Sequence, residues 1–222
     1  MGTIRAVIFD VDGTLVDSND QHARAWVEAL AEYGYKVPVE QVRPLIGMGG
    51  DKVLPILTGL SADEPKGKKI AGRRDAIFAD KYLPQVRPLP GARELLQYLT
   101  RAAVPWAIAT SGWRESAQPA LDMLGVGPEV TIITRDLVRY AKPDPDLFVA
   151  AAEGLGVSIE SSVVVGDSVW DLLAARRARA LGVGLLAGGY GEDELVRAGA
   201  YRVYEDPADL LNHLDEVGVR IS

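Results

Sequence analysis

Six short apolar runs rich in β-branched residues recur along the chain. They are 4–9 (IRAVIF), 104–110 (VPWAIAT), 130–134 (VTIIT), 162–166 (SVVVG), 182–187 (GVGLLA) and, more weakly, 201–204 (YRVY). Apolar runs of this length without alternation are characteristic of strands buried on both faces of a parallel sheet. Between them, residues 92–101, 115–124, 145–154 and 169–180 carry helical patterns. Strand–helix alternation at this spacing predicts βαβ units, an α/β fold with a doubly wound, Rossmann-like parallel sheet.

One region breaks the alternation. Residues 18–86 contain no strand-like run, only helical patterns at 22–33, 53–57 and 69–83, with a polar loop at 61–67. The stretch closes with the turn-rich RPLPG at 87–91. The expected division is a core of residues 1–16 and 88–222 with a helical insertion, 17–87, after the first strand. Nothing resembles an export or membrane signal, since no apolar stretch approaches ~18 residues. A cytoplasmic protein, monomer or homodimer, is the expectation.

Composition narrows the chemistry. Of 222 residues 48% are hydrophobic, enough to bury a core. Lys+Arg 24 against Asp+Glu 31 gives a net charge of −7, which argues against a large basic face for nucleic acid or anionic lipid. Zero Cys excludes disulfides, thiolate metal sites and cysteine nucleophiles, and two His exclude a multi-histidine site. A metal here must be held by oxygen, so Mg²⁺ is the natural candidate.

In open α/β sheets, reactive groups gather at the carboxyl ends of the strands. There the first run gives Asp10-Val11-Asp12-Gly13-Thr14, the second Thr110-Ser111-Gly112 and the fourth Gly166-Asp167-Ser168, with Asp171 four residues on. A loop entering a helix adds Lys142-Pro143-Asp144-Pro145. Each alone has a plainer reading: a strand-end Asp as a turn residue, Thr110-Ser111-Gly112 as a helix cap, Asp171 as a first-turn acid, Lys142 as a solvated loop residue. An EF-hand calcium loop from Asp10 is excluded, because its twelfth residue is Gln21 and a strand, not a helix, precedes it. The joint occurrence at strand ends, in this order, carries the weight.

DVDGTLVDS, TSG, KPDPDLF and GDSVWDLLAA together resemble the four motifs of the haloacid dehalogenase superfamily, over nearly the whole chain. Within it the chain is similar to the phosphoglycolate phosphatase and β-phosphoglucomutase subgroup, which carries a helical cap between the first two motifs. The resemblance implies a phosphatase acting on a small phosphorylated metabolite. Asp10 would be the nucleophile, forming an aspartyl-phosphate, and Asp12 the general acid and base. Mg²⁺ would be bound by Asp10, the Asp12 carbonyl and Asp167, with Asp171 supporting through water. Thr110, the Ser111 amide, Gly112 and Lys142 would serve the phosphate. A cis Lys142–Pro143 bond is also implied. Ala141 and Arg179 stand where glycine is usual in the family, which touches only local loop geometry.

Substrate choice falls to the cap. His22, ten residues after Asp12, is either a substrate contact or a helix-surface residue. Arg43 and the loop IGMGGDK at 46–52, with Lys52, resemble a specificity loop. Gly50 stands where mutases of this type carry an arginine for a second phosphate, which weakens the mutase alternative; Lys52, Arg73 or Arg74 could substitute. Trp26, Met48, Trp113 and Trp170 are expected to pack. A dehalogenase is disfavoured because those enzymes lack the second Asp. A non-enzymatic phospho-acceptor is disfavoured because receiver domains lack the insertion.

Overall fold

The computed structural model describes residues 4–219. Eight strands form: β1 (Ala6–Phe9), β2 (Val16–Asp17), β3 (Arg87–Pro88), β4 (Trp106–Ala109), β5 (Thr131–Ile133), β6 (Ser162–Gly166), β7 (Leu181–Leu185) and β8 (Ala200–Tyr204). Ten α-helices accompany them among the described residues: α1 (Asn19–Glu32), α2 (Val39–Val42), α3 (Gly50–Thr58), α4 (Pro65–Ile77), α5 (Ala92–Arg101), α6 (Arg114–Leu124), α7 (Asp146–Gly154), α8 (Val169–Ala178), α9 (Glu192–Ala198) and α10 (Pro207–Asn212). The chain divides into two compact units, residues 1–17 with 88–222, and residues 18–87. No helix among the described residues is long and apolar enough to cross a membrane.

In the first unit six strands form one parallel sheet in the order β5-β4-β1-β6-β7-β8. The chain builds outward from β1 to β4 and β5, then crosses back to β6 and builds the other way. The order therefore reverses at β1, and such a switch point leaves a crevice at the carboxyl ends of the adjoining strands. The register pairs Phe9 with Ile108 on one side and Val165 on the other, so the residues after β1, β4 and β6 emerge side by side. Ile8, Ala107, Ala109 and Val164 pack on Leu147, Phe148 and Ala151 of α7 and on Ala174 and Ala175 of α8. Alternation sends Val7, Phe9, Val163 and Val165 to the opposite face, and they too are buried.

The second unit is helical. Its interior is built from Trp26 and Leu30 of α1, Val53 and Leu54 of α3 and Ile70 of α4. The polar loop expected at 61–67 is shorter than its composition suggests, because α4 starts at Pro65, a residue suited to a helix's first turn. Gly67 lies inside that helix, where a Cβ would come within 2.1 Å of the Ser61 carbonyl oxygen. Of the four packing residues expected, Trp26 is buried and Met48 and Trp170 are half-buried, but Trp113 is 56% exposed. It stands before the first turn of α6, outside the apolar stripe that Ala117, Ala120, Leu121 and Leu124 direct inward.

Candidate active site

Asp10 follows β1 directly, its amide donating to the Val165 carbonyl at 3.0 Å, so its position is set by the central pairing of the sheet. Gly13 then turns the chain with φ 75°, a left-handed conformation that glycine adopts without a Cβ clash. The turn returns Thr14 to the carboxylates: its hydroxyl donates to Asp167 Oδ1 at 2.9 Å and lies 3.4 Å from Asp10 Oδ2. Asp12 is half-buried beside them in sequence. Thr110 is buried after β4, its hydroxyl accepting from the Gly112 amide at 3.0 Å. Ser111 and Gly112 form the half-buried loop beyond it.

Lys142 is brought to the same place by the loop before α7, across a cis Lys142–Pro143 bond. Its ammonium is fully buried, hydrogen-bonded to Asp10 Oδ1 and 2.8 Å from Asp171 Oδ1. The reading of Lys142 as a solvated loop residue is thereby set aside. Asp171 is fixed in turn by Ser168, whose amide and hydroxyl donate to Asp171 Oδ2 at 3.1 and 2.5 Å, closing a capping box on α8. Asp171 thus is a first-turn acid of α8, as its plainer reading has it, while its other oxygen faces Lys142.

Oxygens of Asp10, Asp167 and Asp171 lie within 4.8 Å of one another, all buried. Burial pushes the Asp10 carboxyl above its ordinary range. Lys142 opposes that push, while the neighbouring charges of Asp171, Asp167 and Asp12 add to it. Burial works against the Lys142 ammonium, but Asp10 and Asp171 outweigh it and hold the lysine protonated. Three carboxylates against one ammonium leave an excess of negative charge out of water, costly unless compensated. A hard divalent cation fits an all-oxygen, carboxylate-rich donor set of this kind.

In the helical unit, His22 lies on the buried side of α1, not on its surface. Its ring stacks on Phe78 with centroids 3.9 Å apart. Arg74 Nη2 lies 3.2 Å from His22 Nδ1. Arg43 is paired with Asp20 at 2.6 Å. Lys52 lies half-buried in α3. Gly50 opens that helix, and a Cβ there would lie 3.4 Å from the Trp26 ring.

Two residues that hold the carboxylates in place, Thr14 and Ser168, are not among those the sequence singles out for the chemistry. Thr14 had a signal, a hydroxyl four residues from Asp10 inside the same turn. Ser168, three before Asp171, had the spacing of a cap.

Comparison with known proteins matches this arrangement. Residues 4–179 match the haloacid dehalogenase-like hydrolase family. The chain is 31% identical over 212 residues to the phosphoglycolate phosphatase of Xanthomonas campestris pv. campestris, covering 93% of this chain and 94% of that one. It is 31% identical over 186 residues to validoxylamine A 7'-phosphate phosphatase of Streptomyces hygroscopicus subsp. limoneus, covering 82% and 85%. The crystal structure of a hydrolase from Pseudomonas syringae superposes with a TM-score of 0.91 at 45% identity, covering 96% of this chain and 98% of that one. The chain belongs to the haloacid dehalogenase-like hydrolases. Within that family it is an enzyme of the phosphoric monoester hydrolase class.

Proposed function

We propose that the enzyme is a Mg²⁺-dependent phosphatase that hydrolyses a small phosphomonoester through a phosphorylated Asp10. The observation that carries this reading is the buried pairing of Asp10 with Lys142 at the switch point of the sheet, beside Asp167 and Asp171. An Asp10 oxygen attacks phosphorus, the ester P–O bond breaks, and Asp12 gives its proton to the departing alkoxide. Water then attacks the phosphorylated Asp10, Asp12 takes the water's proton, and inorganic phosphate leaves with Asp10 restored. Lys142 neutralises charge on Asp10 and on the phosphoryl oxygens, and the Thr110 hydroxyl with the Ser111 amide holds one of those oxygens, the Gly112 amide keeping Thr110 in place. Mg²⁺, held by Asp10, the Asp12 carbonyl and Asp167 with Asp171 in support, would supply the remaining positive charge.

The helical unit is proposed to select the substrate through His22, Arg43 and Lys52. Gly50 favours hydrolysis over phosphoryl return to a sugar. A mutase must hold a distal phosphate while a second hydroxyl attacks, and the space off Gly50 is bounded by the Trp26 ring. A panel of phosphomonoesters, read for both free phosphate and isomerised product, tests the assignment. Phosphate release with Mg²⁺, abolished by excess EDTA and restored by added Mg²⁺, is expected. Full turnover in EDTA would remove the cation from the reading. Rapid isomerisation of a hexose 1-phosphate, with bisphosphate activation, would replace it with a mutase.

A further inference from the structure

The Asp167 carboxylate is confined on two sides. Thr14 donates to Oδ1 at 2.9 Å. On the Oδ2 side stands Gly188, in the turn Leu186–Gly188 that follows β7. A Cβ on Gly188 would come within 1.8 Å of Asp167 Oδ2, 2.4 Å of its Cγ and 2.5 Å of its Cβ. Nonbonded carbon and oxygen do not approach so closely, and the Asp167 Cβ is anchored to the backbone of the central sheet. An alanine at 188 would therefore force the carboxylate to turn away or the turn itself to shift.

We infer that Gly188 is a positioning residue for Asp167, leaving the space in which its carboxylate faces those of Asp10 and Asp171. Two adjacent glycines separate this role from backbone freedom. Gly188 lies outside the left-handed region, so alanine suits its backbone, and the three atoms nearest its Cβ would all belong to Asp167. Gly189 has φ +94° and nothing within 4 Å of a built Cβ, so alanine there strains the backbone and touches nothing.

The inference rests on the proposed reading of the carboxylates as a divalent-cation site, and Mn²⁺ titration of the metal-free enzyme by calorimetry distinguishes the two. Gly188→Ala is expected to weaken Mn²⁺ binding by about 10–100-fold, the usual effect of disturbing the support of a metal ligand, and to raise the Mg²⁺ concentration for half-maximal activity in parallel. Gly189→Ala is expected to lower the urea midpoint in EDTA while leaving the Mn²⁺ affinity of the folded protein unchanged. If the wild-type protein binds no Mn²⁺, the cation reading itself fails. If the wild type binds and Gly188→Ala binds equally well, the positioning role is overturned. Should Gly188→Ala fail to fold, the double variant Asp167→Gly/Gly188→Ala removes the clash. Recovery of soluble, cooperatively unfolding protein is expected, and its failure would also overturn the assignment.

Discussion

The two units of this enzyme carry ion pairs of similar length and opposite meaning. In the helical unit Arg43–Asp20, Arg73–Glu32 and Lys81–Glu28 each close to 2.6 Å, with side chains 38–58% exposed. In the sheet unit Lys142 lies 2.8 Å from Asp171 and against Asp10, all essentially out of water. Distance does not separate the two sets; solvent does. An exposed pair gains little Coulomb energy in high dielectric and spends side-chain entropy to hold its geometry, so it contributes about 0–1 kcal/mol. A buried set has given up hydration, and removing one member strands the others. The helical unit's pairs are fastenings on a surface, whereas the sheet unit's cluster holds charge in readiness for chemistry.

The sharpest way to break this contrast is Lys142→Met, which keeps most of the length and volume but removes the charge. Turnover is expected to fall about 10²–10³-fold, as when one transition-state contact is lost. In EDTA, urea unfolding should show a loss of about 3–5 kcal/mol from carboxylates left uncompensated. A loss of turnover below about fivefold would reduce Lys142 to a packing residue.

Glu28→Gln tests the opposite pole. The hydrogen bond from Lys81, then that from Tyr82, holds the Glu28 carboxyl below its ordinary 4.5. A carboxylate with a depressed folded pKa stabilises above its unfolded value and loses that contribution as pH falls through the folded value. With its side chain 38% exposed, the cost of Glu28→Gln at pH 7 should stay below about 1 kcal/mol. It should shrink in 1 M salt and begin to fade as pH falls below 4.5, disappearing only once pH has passed the lower folded value, with turnover at pH 7 unchanged. A cost of several kcal/mol, insensitive to salt, would mean that exposure is not what divides the two sets.

Arg179 sharpens the comparison from within the sheet unit. Its guanidinium lies 3.4 Å from Glu160, but the pair is 81% and 59% exposed. Its backbone, φ 63°, occupies the left-handed region, where a Cβ is costly and glycine carries none. Losing so exposed a pair should cost nothing measurable, while relieving the Cβ should gain about 0.5–1 kcal/mol. Arg179→Gly is therefore expected to raise the urea midpoint without changing the slope. A lowered midpoint would show that the pair matters in spite of its exposure.

How much was legible beforehand follows the same physical division. The four inner strands β1, β4, β6 and β7 announce themselves because burial on both faces demands uninterrupted apolar runs, whereas the edge strand β8, exposed at Tyr201 and Arg202, reads more weakly. The chemical residues announce themselves because they crowd the ends of those runs. α9 and α10, at seven and six residues, are too short for helical periodicity to show. β2 and β3, two residues each, have no pattern at all. His22 could not be placed on either face of its helix until Phe78 and Arg74, more than fifty positions away, were seen to close over it. Gly188 acts through an absence that only three dimensions reveal.

The central place of β1 also sets a timetable for the chain's birth. Val7 pairs with Trp106 on one side and Val163 on the other, so the strand that precedes the nucleophile has no sheet partner until the helical insertion has been made. Thermodynamically the insertion is cheap: lengthening the β1–β4 loop from about 30 to about 100 residues costs only about 1 kcal/mol of closure entropy. In time it is not. At about 5–20 residues per second, roughly 5–20 seconds separate β1 leaving the ribosome from its first partner. Throughout that interval the apolar AVIF segment, buried on both faces in the finished sheet, has neither of its strand neighbours to pair with.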